Sequence, residues 1–242
     1  MTEALADRID SNERFAADVS HEIKNPLASI QSAVTSAQGA TTPEQQKQML
    51  AIVAQDVQRL DRLITDIARA SRIEAETARG DLERVDLGQL LFEITRAYDL
   101  DERHRVHVHF RGAKPEGAIV FGQAGPLGQV FRNLIDNARS FSPEGGVVKV
   151  HLKPDLQPGV LEVSVSDTGP GIASEDLPHI FERFYQGRTK VKQTAGSGLG
   201  LALVKNVVEA HGGRIWIESE RGKGATVRFI LRLTKPEAKG EP

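Results

Sequence analysis

The feature that most constrains this chain is a run of apolar residues from Leu5 to Gln38, at Leu5, Ile9, Ala16, Val19, Ile23, Leu27, Ile30, Val34 and Ala37, spaced mostly by three and four. That period lays one apolar stripe along a long helix. Gly39-Ala40-Thr41 interrupts it. Thr42-Pro43-Glu44-Gln45 then supplies a capping hydroxyl, a proline at the first helical position and a Gln three residues on, which together restart a helix. Leu50, Val53, Val57, Leu60, Ile64 and Ile67 continue the period to about Ile73. Two long helices joined by a short loop form an antiparallel hairpin. A hairpin alone cannot cover its stripes on all sides, so the expectation is a dimer in which two hairpins make a four-helix bundle.

After the polar stretch Glu74–Asp81 the pattern changes, which sets a boundary near Gly80 and two domains, 1–79 and 80–242, with Glu74–Gly80 as the connection. The second is mixed. Strands are expected at Glu83–Asp86, Val106–Phe110, Ala118–Phe121, Val147–Leu152, Val160–Ser166, Arg214–Glu218 and Ala225–Leu233, and helices at Leu87–Asp99, Pro126–Ser140 and Leu199–His211. Strands bunch late, so a mixed sheet with helices on one face is favoured over a doubly wound parallel sheet, and the class is α+β.

Composition removes several functions. The 242 residues contain no cysteine, which excludes disulfide scaffolds, thiol catalysis and Cys-ligated metals and fits a reducing compartment, the cytoplasm. A formal charge of −2 gives no reason to expect nucleic acid as a partner. The start has no basic and apolar blocks of a signal peptide, and no apolar run is long enough to span a membrane.

Five clusters carry chemistry. His21 lies between Val19 and Ile23 and projects away from the buried stripe, with Glu22, Lys24 and Asn25 beside it and Pro26 removing a backbone hydrogen bond. An exposed imidazole next to a carboxylate can be made nucleophilic, although such pairs are also common on inert helix surfaces. Asn133 and Asn137, four apart, share a helix face and offer neutral oxygens to a hydrated cation such as Mg²⁺. Asp167-Thr168-Gly169-Pro170-Gly171-Ile172 follows a strand, placing a carboxylate and two glycines where a flat ligand can approach and Asp167 can accept from an exocyclic amine. Gly196-Ser197-Gly198-Leu199-Gly200 leads into a helix, so its amides can face phosphate; it lacks the Lys of a Walker loop. Between them Tyr185–Ala195, with Arg188, Lys190 and Lys192, reads as a basic lid.

These residues resemble the cytoplasmic catalytic core of bacterial sensor histidine kinases, over nearly the whole chain, and within that family the ChvG-type sensors of alphaproteobacteria. Phe15–Leu27 is similar to the phosphoacceptor motif of the H-E-x-x-N subclass. Asn133–Ala138 resembles the asparagine box, Asp167–Ile172 the first glycine box, Ile180–Tyr185 the phenylalanine box and Gly196–Leu201 the second glycine box. The resemblance implies a phosphoacceptor hairpin followed by an ATP-binding domain of the Bergerat fold, an α/β sandwich. It makes His21 the nucleophile on the γ-phosphate of ATP, Glu22 the base that polarises it and Asn25 the residue that positions water for dephosphorylating a partner. It implies that Asn137 holds Mg²⁺ with support from Asn133, that Asp167 reads adenine beside Gly169, Gly171 and Ile172, and that Gly196, Gly198, Leu199 and Gly200 cap the phosphates. A homodimer and a cognate response regulator are the partners it implies, with any membrane attachment through an upstream sensor region.

Two positions depart from the family pattern: Ser140 and Gln186 stand where a basic residue is common, and Arg139 and Arg188 are the neighbours able to take over phosphate contact. The departures leave a degenerate kinase acting as a scaffold or phosphatase as an alternative. A gyrase-like ATPase is a further one, but it needs a glutamate base where Asn133 stands and leaves His21 unexplained.

Overall fold

The computed structural model describes residues 2–98, 105–110, 118–157, 159–187 and 196–234. The chain divides into two compact units, Met1–Arg69 and Ala70–Pro242.

The first unit is the helical hairpin. Helix α1 spans Thr2–Gln38 and runs unbroken through Pro26; α2 spans Pro43–Arg79. The turn between them is capped as its residues dictate: Thr42 Oγ1 accepts from the Gln45 amide at 3.3 Å, and Gln45 Oε1 accepts from the Thr41 amide at 3.2 Å. Ala33 and Leu63 are buried. Leu27 and Val34 on α1, and Leu50, Val57 and Ile64 on α2, are exposed. The period read as one seam is therefore two: an inner stripe closes the hairpin and an outer one, at seven-residue spacing, stays open within the single chain.

The polar stretch Glu74–Arg79, expected as a connection, is instead the last part of α2. Glu, Ala and Arg are strong helix formers, Arg72 pairs with Glu76 one turn on at 2.9 Å, and the Gly80 amide closes the end on Glu76 O at 2.9 Å. Ala70 and Ile73 are buried, and Ile73 joins the core of the second unit, so these turns belong with it.

The second unit holds strands β1 (Glu83–Asp86), β2 (Arg105–Phe110), β3 (Ile119–Gly122), β4 (Val147–Gln157), β5 (Val160–Ser166), β6 (Arg214–Glu220) and β7 (Gly224–Arg232), and helices α3 (Leu87–Arg96), α4 (Ala124–Phe141) and α5 (Gly200–Ala210). Asp86 caps α3 by accepting from the Gly88 and Gln89 amides at 2.9 and 3.1 Å, a cap worth about 1 kcal/mol. β1 and β3 pair antiparallel; the main sheet has the order β2-β4-β5-β7-β6, with β2 parallel to β4 and every other pairing antiparallel. It is mixed, as the late bunching of strands predicts.

Leu161, Val163 and Val165 on β5 and Val227, Phe229 and Leu231 on β7 are buried in one core with Leu127, Phe131, Leu134 and Ile135 of α4 and Val204, Val207 and Val208 of α5. The Phe131 and Phe229 rings meet at 6.1 Å between centroids. Glu162, on the opposite face of β5, is satisfied by Arg228 at 3.0 Å and Lys153 at 3.5 Å. One sheet face is apolar and helix-covered; the other carries a charged cross-strand ladder.

Candidate nucleotide and phosphoacceptor sites

On the hairpin, the alternation around Val19 and Ile23 leaves His21 and Asn25 exposed, as the stripe predicts. Glu22 is half-buried, and its carboxylate lies 3.5 Å from Arg59 of α2. The pair is partly exposed and weak in stability terms, but it holds the carboxylate beside the imidazole-bearing turn.

In the second unit, α4, the β5–β6 connection and the start of α5 bring the remaining motifs together. Asn133 is committed on both ends: its Oδ1 accepts from Gln129 at 2.7 Å, and its Nδ2 donates to Gly200 O at 3.3 Å. It ties α4 to the glycine loop. Asn137, a turn on, is half-buried, and among the described residues its carboxamide has no protein partner. Of the two amides, Asn137 is therefore the one with an oxygen left open among the described residues, while Asn133 is tied to the loop. Arg139, two residues and some 200° around the helix from Asn137, lies over the Tyr98 ring at 4.9 Å. Tyr98 in turn donates to Asp136 at 2.9 Å. Ser140 donates to Asn137 O at 2.9 Å.

Asp167 ends β5. Its Oδ1 accepts from the Gly169 amide at 2.8 Å and the Ala225 amide at 3.2 Å, which leaves Oδ2 for a donor from outside. Burial pushes its carboxyl above the ordinary range, and the two amide bonds pull the other way. The glycines that follow serve the protein's own backbone. A Cβ on Gly171, at φ +71°, would strike Glu220 O, and one on Gly169 would lie 2.7 Å from Phe141 O. Ile172 N donates to Ser219 Oγ at 2.8 Å, clamping this turn to β6.

The second glycine loop divides differently. Gly198, at φ +79°, packs against Phe184, where an added Cβ would come within 2.6 Å. Among the described residues nothing lies within 4 Å of a Cβ built at Gly196 or Gly200, the condition for something else to approach. Phe184 itself has φ +61°, an outlier for a bulky side chain, held by its amide donating to Gly198 O at 3.0 Å. Gln186 Nε2 donates to Gly196 O at 3.1 Å. The two ends of the basic segment are thus stitched together at its base. Arg188 and the residues to Ala195 lie outside the described residues.

Leu199 is buried and α5 starts at Gly200 with no side-chain cap, so the amides of its first turn remain available to an anion. Among the described residues, no group of three His, Cys, Asp or Glu could hold a metal. Asn137 with substrate oxygens and water is the arrangement that fits Mg²⁺.

Residues 11–76 match the His Kinase A (phospho-acceptor) domain, and residues 122–235 match the histidine kinase-, DNA gyrase B- and HSP90-like ATPase family. The chain belongs to the sensor histidine kinases. This kinase core is 44% identical to sensor protein ChvG of Rhizobium meliloti over 96% of its own length and 42% of the relative's, and 43% identical to ChvG of Agrobacterium fabrum over 98% and 41%. It spans less than half the length of these relatives. Among solved structures, full-length ShkA in complex with AMPPNP is similar with a TM-score of 0.61 and 25% identity, over 93% of this chain and 47% of that one. No helix among the described residues is long and apolar enough to cross a membrane.

The motifs do not reveal three features. The strain at Phe184, the contact of Tyr98 with Asp136, and the tether of the Gln123 side chain to Gly80 O at 2.6 Å all depend on residues brought together from distant parts of the chain.

Proposed function

We propose that the kinase core autophosphorylates on His21 from ATP bound in the second unit, passes the phosphoryl group to an aspartate of a response regulator, and removes it again through Asn25. The observation that carries this is an exposed His21 beside Glu22, in a chain whose other unit presents Asp167, Asn137 and an open glycine loop. The nucleophile and the nucleotide belong to different units, so their meeting is the step a signal can control.

In the transfer, Glu22 accepts the proton of one ring nitrogen, and the lone pair of the other forms the N–P bond. The bond from γ-phosphorus to the bridging oxygen breaks and ADP leaves. Asp167 Oδ2 accepts from the adenine amine, the Gly196–Gly200 amides and the start of α5 face the phosphates, and Ile172 shapes the purine edge. Mg²⁺, when bound through Asn137, neutralises charge on the phosphates. Arg188 is the cation nearest the Gln186 departure in sequence; Arg139 would have to leave the Tyr98 ring to serve. The functional division is 1–79 and 80–242, with the turns of α2 from Ala70 on packed with the second unit. The outer stripe of Leu27, Val34, Leu50, Val57 and Ile64 supports a homodimer through a four-helix bundle. The longer relatives, named as sensors, support a parent protein with an upstream membrane-anchored sensor region and this core in the cytoplasm.

A second reading, a scaffold or phosphatase that does not use ATP, draws on Ser140 and Gln186, whose hydrogen bonds to Asn137 O and Gly196 O are made without a cation. Incubation with γ-labelled ATP and Mg²⁺ separates the readings. Acid-labile, alkali-stable label on the protein is the expected result. Release of phosphate alone would point to a hydrolase, and no turnover to the scaffold.

A further inference from the structure

We infer that Glu74, in the last turns of α2, is a positioning residue for the phosphate-binding loop. Its Oε1 accepts from Arg183 Nη2 at 3.1 Å and from Asn206 Nδ2 at 3.2 Å. These donors lie on opposite flanks of the loop. Arg183 immediately precedes Phe184, whose strained backbone is bonded to Gly198, and Asn206 lies on α5, under two turns beyond Gly200. One carboxylate oxygen thus fastens the segment entering the basic stretch and the helix leaving it to the same point on α2.

The charge-assisted bond to Arg183 is partly shielded, with the two side chains 25% and 38% exposed. The attachment is made by the last turns of α2, which belong with the second unit, so both flanks of the loop share one anchor there. Neither Glu74 nor Asn206 belongs to a motif that carries the family resemblance.

The assignment rests on the reading that Gly196–Gly200 faces ATP phosphates, and its test separates the two. The full chain is titrated with ATP and Mg²⁺ by calorimetry, and amide hydrogen exchange at Gly196–Gly200 is followed without nucleotide. Glu74→Ala, which removes both bonds, should weaken ATP binding about fivefold and Arg183→Ala, which leaves the Asn206 bond, by less, with the double variant no weaker than Glu74→Ala, because the Arg183 bond is already lost there. Exchange in the loop should rise in all three. The exchanged pair Glu74→Arg with Arg183→Glu restores the ion pair, and with the Asn206 carboxamide oxygen turned to accept from the new guanidinium it should recover affinity to within about twofold. Wild-type affinity in the single variants, effects that multiply in the double, or unchanged loop exchange would each overturn the role of Glu74. A wild-type chain that binds no ATP, with loop exchange still raised by Glu74→Ala, would overturn the phosphate reading and leave the positioning intact.

Discussion

The side chain of Asn133 donates to the carbonyl of Gly200 at 3.3 Å, joining the asparagine helix to the first residue of α5. Asn137, one turn along α4, makes no such bond among the described residues. On the proposed function the two asparagines of one motif divide their work, Asn133 fixing the loop and Asn137 facing the ligand. Asn137→Ala should abolish phosphorylation and remove the magnesium dependence of ATP binding. Asn133→Ala should weaken binding about tenfold and keep that dependence, since its loss loosens the loop without removing the open oxygen. Titration with ATP at several Mg²⁺ concentrations checks both.

The glycine loop should answer to substitution unevenly. Gly198→Ala places a Cβ against the Phe184 backbone at a positive φ and should cost about 2 kcal/mol or more in urea unfolding. Gly200→Ala meets open space and should change stability by under about 1 kcal/mol while weakening ATP. If Gly198→Ala were neutral in stability, the lock between Phe184 and Gly198 would be wrong.

Asp167 links binding to pH. Its folded carboxyl titrates above its unfolded value, so between the two values the folded state holds more protons than the unfolded. Stability therefore falls as pH rises through that window, from the ordinary carboxylate range to the raised folded value, and stays lower above it. Asp167→Asn keeps an oxygen for the Gly169 and Ala225 amides and should flatten this part of the pH–stability curve. It should also weaken ATP more than tenfold through the lost acceptor for adenine. Thermal melts across acidic pH, with nucleotide titration at neutral pH, test both halves.

The outer stripe of the hairpin predicts assembly. Val57 is 51% exposed in the single chain, and a charge there would be buried in a four-helix bundle. Val57→Glu should shift sedimentation from dimer to monomer while leaving ATP binding by the second unit in place. A wild-type chain that sediments as a monomer would remove the bundle.

Local chemistry made much of this legible. β1 and β5 fall at the bounds that alternation gives, and Asn133, Asn137, Asp167 and the glycines sit on the elements that their spacing assigns. Three readings needed the tertiary fold. The polar composition of Glu74–Arg79 reads as a connection, yet its residues favour helix, Ile73 joins the core of the second unit, and Glu74 has a partner more than a hundred residues away. The glycines of Asp167–Ile172 suggest ligand access, whereas most of their need comes from Glu220 and Phe141, which no local pattern identifies. The single period assigned to each long helix was in fact two stripes, because three-and-four spacing does not distinguish an inner seam from an outer one.

Whether the exposed imidazole of His21 is the group phosphorylated is decided by replacing it. His21→Gln should bind ATP within about twofold of the wild type, because the nucleotide is held in the other unit, and should retain no acid-labile label from γ-labelled ATP. Full labelling of His21→Gln would place the phosphoryl group on another residue.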